Sequence, residues 1–231
     1  MMLEALQADR ILEHNAINKF ILKIDVIKQD GYTGSETANY MINFFDRLEK
    51  REVLNISVNL KQDASAHEIS DHKTYEYVLI SEDSGTVMTF SDTHNIIWIE
   101  CTKYKDNSAY KDIIRNLTYV LRKNNINIKS KRIGLRYINK FDCENYKKIS
   151  SIYGSRLSRI LKLMLCGENQ SRIIGVEDYN YDDYKIRLQY GIYNKFYPAK
   201  IATYDLLLDI DCYIENTSDI DDWESSISIL N

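Results

Sequence analysis

Lys131-Arg132-Ile133-Gly134-Leu135-Arg136-Tyr137-Ile138-Asn139-Lys140-Phe141 is the stretch on which the fold turns. β-Branched and aromatic residues dominate it and the pattern alternates, which predicts a strand. Ile133, Leu135, Tyr137 and Phe141 fall on one side of such a strand. Arg132, Gly134 and Arg136 fall on the other. A strand with one apolar face and one carrying two guanidiniums belongs to a sheet whose faces are covered unequally.

A second strand matches it. In 202–214, Leu206, Leu208, Ile210 and Cys212 share one face, while Leu207, Asp209, Asp211 and Tyr213 share the other. Upstream, Phe20, Leu22, Ile24 and Val26 alternate in an opening strand. Ser35 is placed to cap a helix running to about Lys50, with Ala38, Met41, Ile42, Phe45 and Leu48 at helical spacing. Residues 52–60 alternate again, and the polar segment 62–73 reads as a loop. A hairpin follows, 74–81 and 86–91 about a turn at Glu82-Asp-Ser-Gly85, and then a strand over 95–103.

The order then begins again. Tyr110, Ile113, Ile114, Leu117, Val120 and Leu121 make an apolar helical stripe ahead of the strand at 131–141. A helix over 156–166 stopped by Gly167 comes next, then strands at 171–178, 184–193 and 202–214. Two short helices close the scheme, one at 3–14 and one starting at Ser218. These elements predict an α+β fold, a largely antiparallel sheet with helices on one face. One domain over 1–231 is expected, in which 17–104 and 105–215 read as two related halves sharing a core.

Composition bounds the function. A single proline and eight glycines argue against a linker-rich or disordered chain. A net charge of −4 gives no global attraction to nucleic acid. No apolar run reaches the ~20 residues needed to span a bilayer, and the N-terminus lacks a basic then apolar leader pattern, so no membrane partner and a cytoplasmic location are expected. The cysteines (Cys101, Cys143, Cys166 and Cys212) form no C-x-x-C pair, which disfavours zinc and disulfides. Phosphate-loop, dinucleotide, zinc-protease and serine-hydrolase templates are absent. His14, His67, His72 and His94 fall in loops or near element ends, with no nucleophile placed beside them. No cofactor is called for, and no catalytic set is recognisable.

What remains is a charge constellation. If the strands at 131–141 and 202–214 share a sheet with their apolar sides on the core, Arg132 and Arg136 meet Asp209 and Asp211 on the other face. Guanidinium and carboxylate match as bidentate partners. The simplest reading is a structural ion-pair ladder; the sharper one is a polar binding surface with Arg136 as an anion contact. Asp-x-Asp also suits a divalent cation, although the arginines compete for the same oxygens. The acidic, tyrosine-rich run 177–184 reads as a solvated turn, with a docking surface for a basic partner as the alternative. Basic residues gather at 122–140 and 147–162, with Tyr137, Tyr146 and Tyr153 among them. That bias admits phosphate contacts, or simply balances the acidic C-terminal third.

Arg132-Ile-Gly-Leu-Arg-Tyr-Ile-Asn139 and Leu206-Leu-Leu-Asp-Ile-Asp211 together resemble the two signature segments, R-Y-I-N and L-D-[IV]-D, of a sporadically distributed bacterial and archaeal family of about this length. The family has no established activity. The resemblance extends in order over most of the chain, and relatives continue further past the last strand. It implies Arg136, Tyr137, Asn139, Asp209 and Asp211 as the residues to watch. It also implies mobile accessory genes, such as phage-defence or toxin–antitoxin loci. The expectation is therefore a non-enzymatic binding or assembly protein acting with a partner protein, homo-oligomerisation being compatible with it. A nucleic-acid- or nucleotide-acting effector using the Arg/Asp residues, with or without a metal, is the alternative. A chaperone-like sheet protein is the third.

Overall fold

Alternation at period two, read across paired strands, assembles a sheet with one oily face. The computed structural model describes residues 17–27, 32–60, 67–103, 108–141, 159, 169–202 and 205–231. The expected helices at 3–14 and 156–166, Cys143, Cys166, His14 and the basic run 147–162 (Arg159 apart) lie outside these residues, and the side chains at 55–60 and 67–72 are likewise not described.

The strands are β1 (Ile17–Ile27), β2 (Arg47–Leu60), β3 (His67–Ser81), β4 (Thr86–Ser91), β5 (Ile96–Cys101), β6 (Lys129–Phe141), β7 (Ile173–Asn180), β8 (Lys185–Tyr193), β9 (Asp205–Ile214) and the two-residue β10 (Ser218–Asp219). They form one sheet in the order β2-β3-β4-β5-β1-β6-β9-β8-β7, with β10 paired to β6. Every pairing is antiparallel. At the centre, β1 lies against β6, with Leu22 opposite Leu135 and Ile21 opposite Arg136. The α+β class and the largely antiparallel sheet stand as expected.

Three α-helices among the described residues cover one face: α1 (Gly34–Met41), α2 (Ser108–Lys123) and α3 (Trp223–Leu230). Under them lie Phe20, Leu22, Ile24, Met88, Phe90, Ile97, Ile99, Ile133 and Leu135, all buried. α2 supplies Tyr110, Ile114, Leu117, Val120 and Leu121, and α3 supplies Trp223, Ile227 and Leu230. Tyr110 stacks on Phe20 with centroids 4.7 Å apart. α3 packs on β6 and β9 and against α2, so the chain's last helix closes the layer over its most central strands.

Three local expectations are corrected. The first helix stops at Met41, passes through a 3-10 turn over Ile42–Phe44, and gives way to β2 at Arg47. Its cap is Thr33, whose Oγ1 accepts from the Glu36 N–H at 3.2 Å. The strand wins over helical spacing because Arg47 through Leu60 pair rung by rung with β3. For the same reason, residues 67–73 are not a loop: they complete that ladder, and their polarity hides it in the sequence. Ser218 does not cap a helix. It pairs with Ser130 on β6, their hydroxyls 2.7 Å apart, and the helix begins at Trp223.

Because α2 buries a stripe of side chains, Leu117→Ala is expected to cost about 2–5 kcal/mol. Tyr119, on its outer side and 55% exposed, should cost within about 0.5 kcal/mol when changed to alanine. Denaturant titration of both variants checks the difference, and equal effects would mean that α2 does not face the sheet through Leu117.

Candidate functional site

Leu135 cannot point at α2 unless Arg136 points away, so the same alternation that builds the core builds a polar face behind it. Across that face runs a row of paired positions: Ile21 on β1, Arg136 on β6, Asp211 on β9, Arg187 on β8 and Asp178 on β7. The face is mixed. Ile21 and Val78 are buried on it, whereas Lys23, Arg132, Arg136 and Gln189 are partly exposed.

The expected Arg/Asp pairing is present, with a diagonal register. Arg136 lies opposite Asp211 but leans along the strand to Asp209. Its Nε donates to Asp209 Oδ1 at 2.8 Å and its Nη2 to Oδ2 at 2.6 Å, a bidentate fork. Arg132 leans the same way: its Nη2 donates to Asp211 Oδ2 at 3.0 Å, and its guanidinium lies over the Tyr213 ring at 4.4 Å. Gly134 makes this possible. A Cβ there would stand 3.2 Å from Arg132 Nη1, a tight contact, so the bare backbone leaves that guanidinium room to lie close over it.

The two members of the central pair differ in solvation. Asp209 keeps 6% of its side-chain surface exposed and Arg136 keeps 42%. The hydrogen bonds it donates to Asp209 hold the Arg136 guanidinium above its ordinary pKa against the opposing effect of burial, and the charges of Asp209 and Asp211 add to this. Arg136 Nη1 has no hydrogen-bond acceptor among the described residues. Farther out, Arg187 forks onto Asp178 at 2.8 and 3.2 Å on open surface.

Tyr137 and Asn139 do not join this set. Both belong to the helix-facing side of β6: the Tyr137 ring is tilted against Phe20 at 5.4 Å and its hydroxyl donates to Asn231 Oδ1 at 3.0 Å. Asn139 is buried, and its Nδ2 donates to the Leu208 carbonyl at 3.1 Å. Their part in the structure is to tie β6 to the C-terminus and to β9.

Three adjoining hollows open on the polar face, of about 470, 260 and 180 Å³, and Arg136 lines all three. The largest reaches from Arg136 and Asp209 to Arg172, Tyr193 and Tyr197, residues that the sequence did not single out. The 260 Å³ hollow runs the other way, to Lys23 and Trp98.

Chemically the set suits binding. Each carboxylate of the Asp-x-Asp pair is engaged by a guanidinium, and no group of three or more His, Cys, Asp or Glu placed to hold a metal ion occurs among the described residues. The Cys212 thiol, on the other face of β9, is pushed up to about 11 by burial and then by the Asp211 charge, which leaves it protonated at neutral pH. The acidic run 177–184 is largely exposed and turns tightly at 181–184, with Tyr181 stacked on Tyr184 at 4.8 Å. No helix among the described residues is long and apolar enough to cross a membrane. No family model, curated protein or solved structure matches the chain.

Removing the guanidinium leaves a nearly dry carboxylate without its partner. Arg136→Ala should therefore destabilise by about 2 kcal/mol, less than the wholly buried case because Arg136 is half in water. Arg136→Lys, which keeps the charge without the fork, should recover part of the loss. Arg187→Ala, on the exposed pair, should leave the melting temperature unchanged. Thermal and urea unfolding of the three variants checks this order; an unchanged Arg136→Ala would show that Asp209 does not depend on the fork.

Proposed function

We propose that this chain is a non-enzymatic binding protein that acts with a partner protein in the cytoplasm, and that it captures that partner through the β2–β3 ribbon. The observation that carries this reading is the length of the ribbon. β2 and β3 pair continuously from Arg47–Ile80 to Leu60–His67, whereas β4 pairs with β3 only from Glu76 onward. Residues 54–60 and 67–73 therefore form a two-stranded arm that pairs with no third strand among the described residues. At ~3.3 Å per residue, seven residues project roughly 23 Å beyond the body of the sheet.

An isolated two-stranded ribbon is marginally stable in water, and its outer edges present unpaired N–H and C=O groups. Addition of a partner strand satisfies both. Leu54, 55% exposed, and Tyr75, 38% exposed, stand at the root of the arm as apolar contacts for such a partner. The Arg/Asp face then serves as scaffold and second contact surface. The absence of a recognised catalytic motif in the sequence agrees with this.

The sporadic accessory family that 132–139 and 206–211 resemble is the ground for placing the partner in the same locus, of the phage-defence or toxin–antitoxin kind. We further infer that 17–104 and 105–215 are related halves. In support, β1 and β6 lie side by side at the centre, and each is paired to the last long strand of its own half, β5 and β9.

Expressed with its neighbouring genes and purified at native level, the protein should bring down a defined gene product in fixed ratio. Replacing residues 54–73 by an Asn-Gly turn should abolish that association and leave the folded body intact by circular dichroism. A solitary wild-type monomer, or a shortened variant that retains the partner equally, would overturn the reading.

A further inference from the structure

The geometry points to a second binding site, distinct from the ribbon: the 470 Å³ hollow beside Arg136 is a pocket for a small planar aromatic anion. Its size falls in the range of roughly 300–1,000 Å³ typical of small-molecule sites. The floor is apolar, made by Ile138, Ile174 and Leu207 around Gly191, which contributes no side chain. A Cβ on Gly191 would stand 2.0 Å from the Ile173 carbonyl oxygen, so the backbones of β7 and β8 touch there and the floor is fixed.

The walls are aromatic and held in place. Tyr193 and Tyr197 line the hollow, 48% and 58% exposed. The loop that carries Tyr197 is tied down by Asn194, whose Nδ2 donates to the Ser171 carbonyl at 2.9 Å and the Ala199 carbonyl at 2.7 Å. Asn194 Oδ1 accepts from the Phe196 N–H at 3.0 Å, and the Ile201 N–H reaches the Gln170 carbonyl at 2.7 Å. These bonds set Tyr197 beside Arg172, with guanidinium and ring 5.6 Å apart.

Charge decides the ligand's sign. Arg172 and Arg136 both line the hollow, against the single carboxylate of Asp209, which already accepts two hydrogen bonds from Arg136. Arg172 pairs with no carboxylate among the described residues. The pocket thus carries one uncompensated positive charge, on Arg172, beside an Arg136 that keeps one guanidinium nitrogen without an acceptor among the described residues. A flat apolar ring between the tyrosines, bearing a carboxylate or a phosphate toward Arg172, satisfies the walls and the charge together.

The probes are 3-phenylpropionate and adenosine 5′-monophosphate, each set against its neutral counterpart, 3-phenylpropanol and adenosine. Titration calorimetry and saturation-transfer NMR on the full chain should show at least one anion binding at least about tenfold more tightly than its neutral form. Which anion does so separates a carboxylate source from a phosphate source. Arg172→Gln, on the surface, should remove that margin, and Ile174→Trp, which fills the floor, should abolish binding; both should keep the wild-type melting temperature. The assignment is overturned if neither anion binds at low-millimolar concentration, if neutral and anionic forms bind alike, or if Ile174→Trp still binds. Because the isolated chain is used and the ribbon is untouched, these outcomes leave the partner reading to its own test.

Discussion

Alternation on β6 is the constraint from which the rest follows. β6 sits between β1 and β9, and its odd-numbered residues from Ile133 to Asn139 face the helices. Once Ile133 and Leu135 are committed to the core under α2 and α3, Arg132, Gly134 and Arg136 have one direction left. A register slip of one residue would drive two guanidiniums into the apolar layer, which no other pairing could compensate. The hydrophobic term therefore fixes the register, and the register fixes where the charges stand. β9 obeys the same rule from the other side, with Ile214 in the core, Cys212 packed against it, and Asp209 and Asp211 on the polar face.

That chain of dependence explains what could be read from sequence. The strand character of 131–141 and 206–211, the turn at 82–85 and the buried stripe of α2 rest on local periodicity or turn chemistry, and each is legible in a dozen residues; that the two strands lie side by side entered only as a condition for their charges to meet, and the ladder from Ile133–Ile214 to Phe141–Leu206 meets it. The end of α1 was not. Phe45 and Leu48 have helical spacing from Met41, yet Arg47 already belongs to a fourteen-rung ladder whose other half lies twenty and more residues away. Polar residues 67–73 read as a loop because strand propensity describes apolar, half-buried patterning, and a polar run extended by its pairing with β2 does not show it. Tyr137 and Asn139 join Arg136 only through the family resemblance; parity, which already puts Tyr137 on the apolar side, separates them from it, and they bond to the C-terminus and to β9 instead.

The residues that the sequence did not single out share one property. Arg172, Tyr193, Asn194 and Tyr197 come from a strand end and a loop, and nothing in their spacing links them to Arg136. They meet because β8 lies beside β9, which lies beside β6. Their one local signal was the run of exposed aromatics at 193–197, too common in turns to weigh alone. The Arg187–Asp178 fork is local by contrast, two charges nine residues apart on opposed rungs of one hairpin, and it depends on the register of β7 and β8.

The asymmetry of the Arg136–Asp209 pair bears on whether it is scaffold or site. A buried ion pair is a poor device for stability alone, since well-packed apolar residues of the same volume do as well or better. Here the desolvation cost falls on Asp209, which is almost dry, while Arg136 keeps 42% of its side chain in water. Asp209 therefore acts as a clamp: it takes the Nε and Nη2 edge of the guanidinium and freezes its plane. The remaining Nη1 has no acceptor among the described residues, and the Arg136 side chain, carried on a central strand, borders all three hollows. A donor that is already ordered loses little further entropy when an anion arrives, which is the condition under which a single guanidinium contributes to binding.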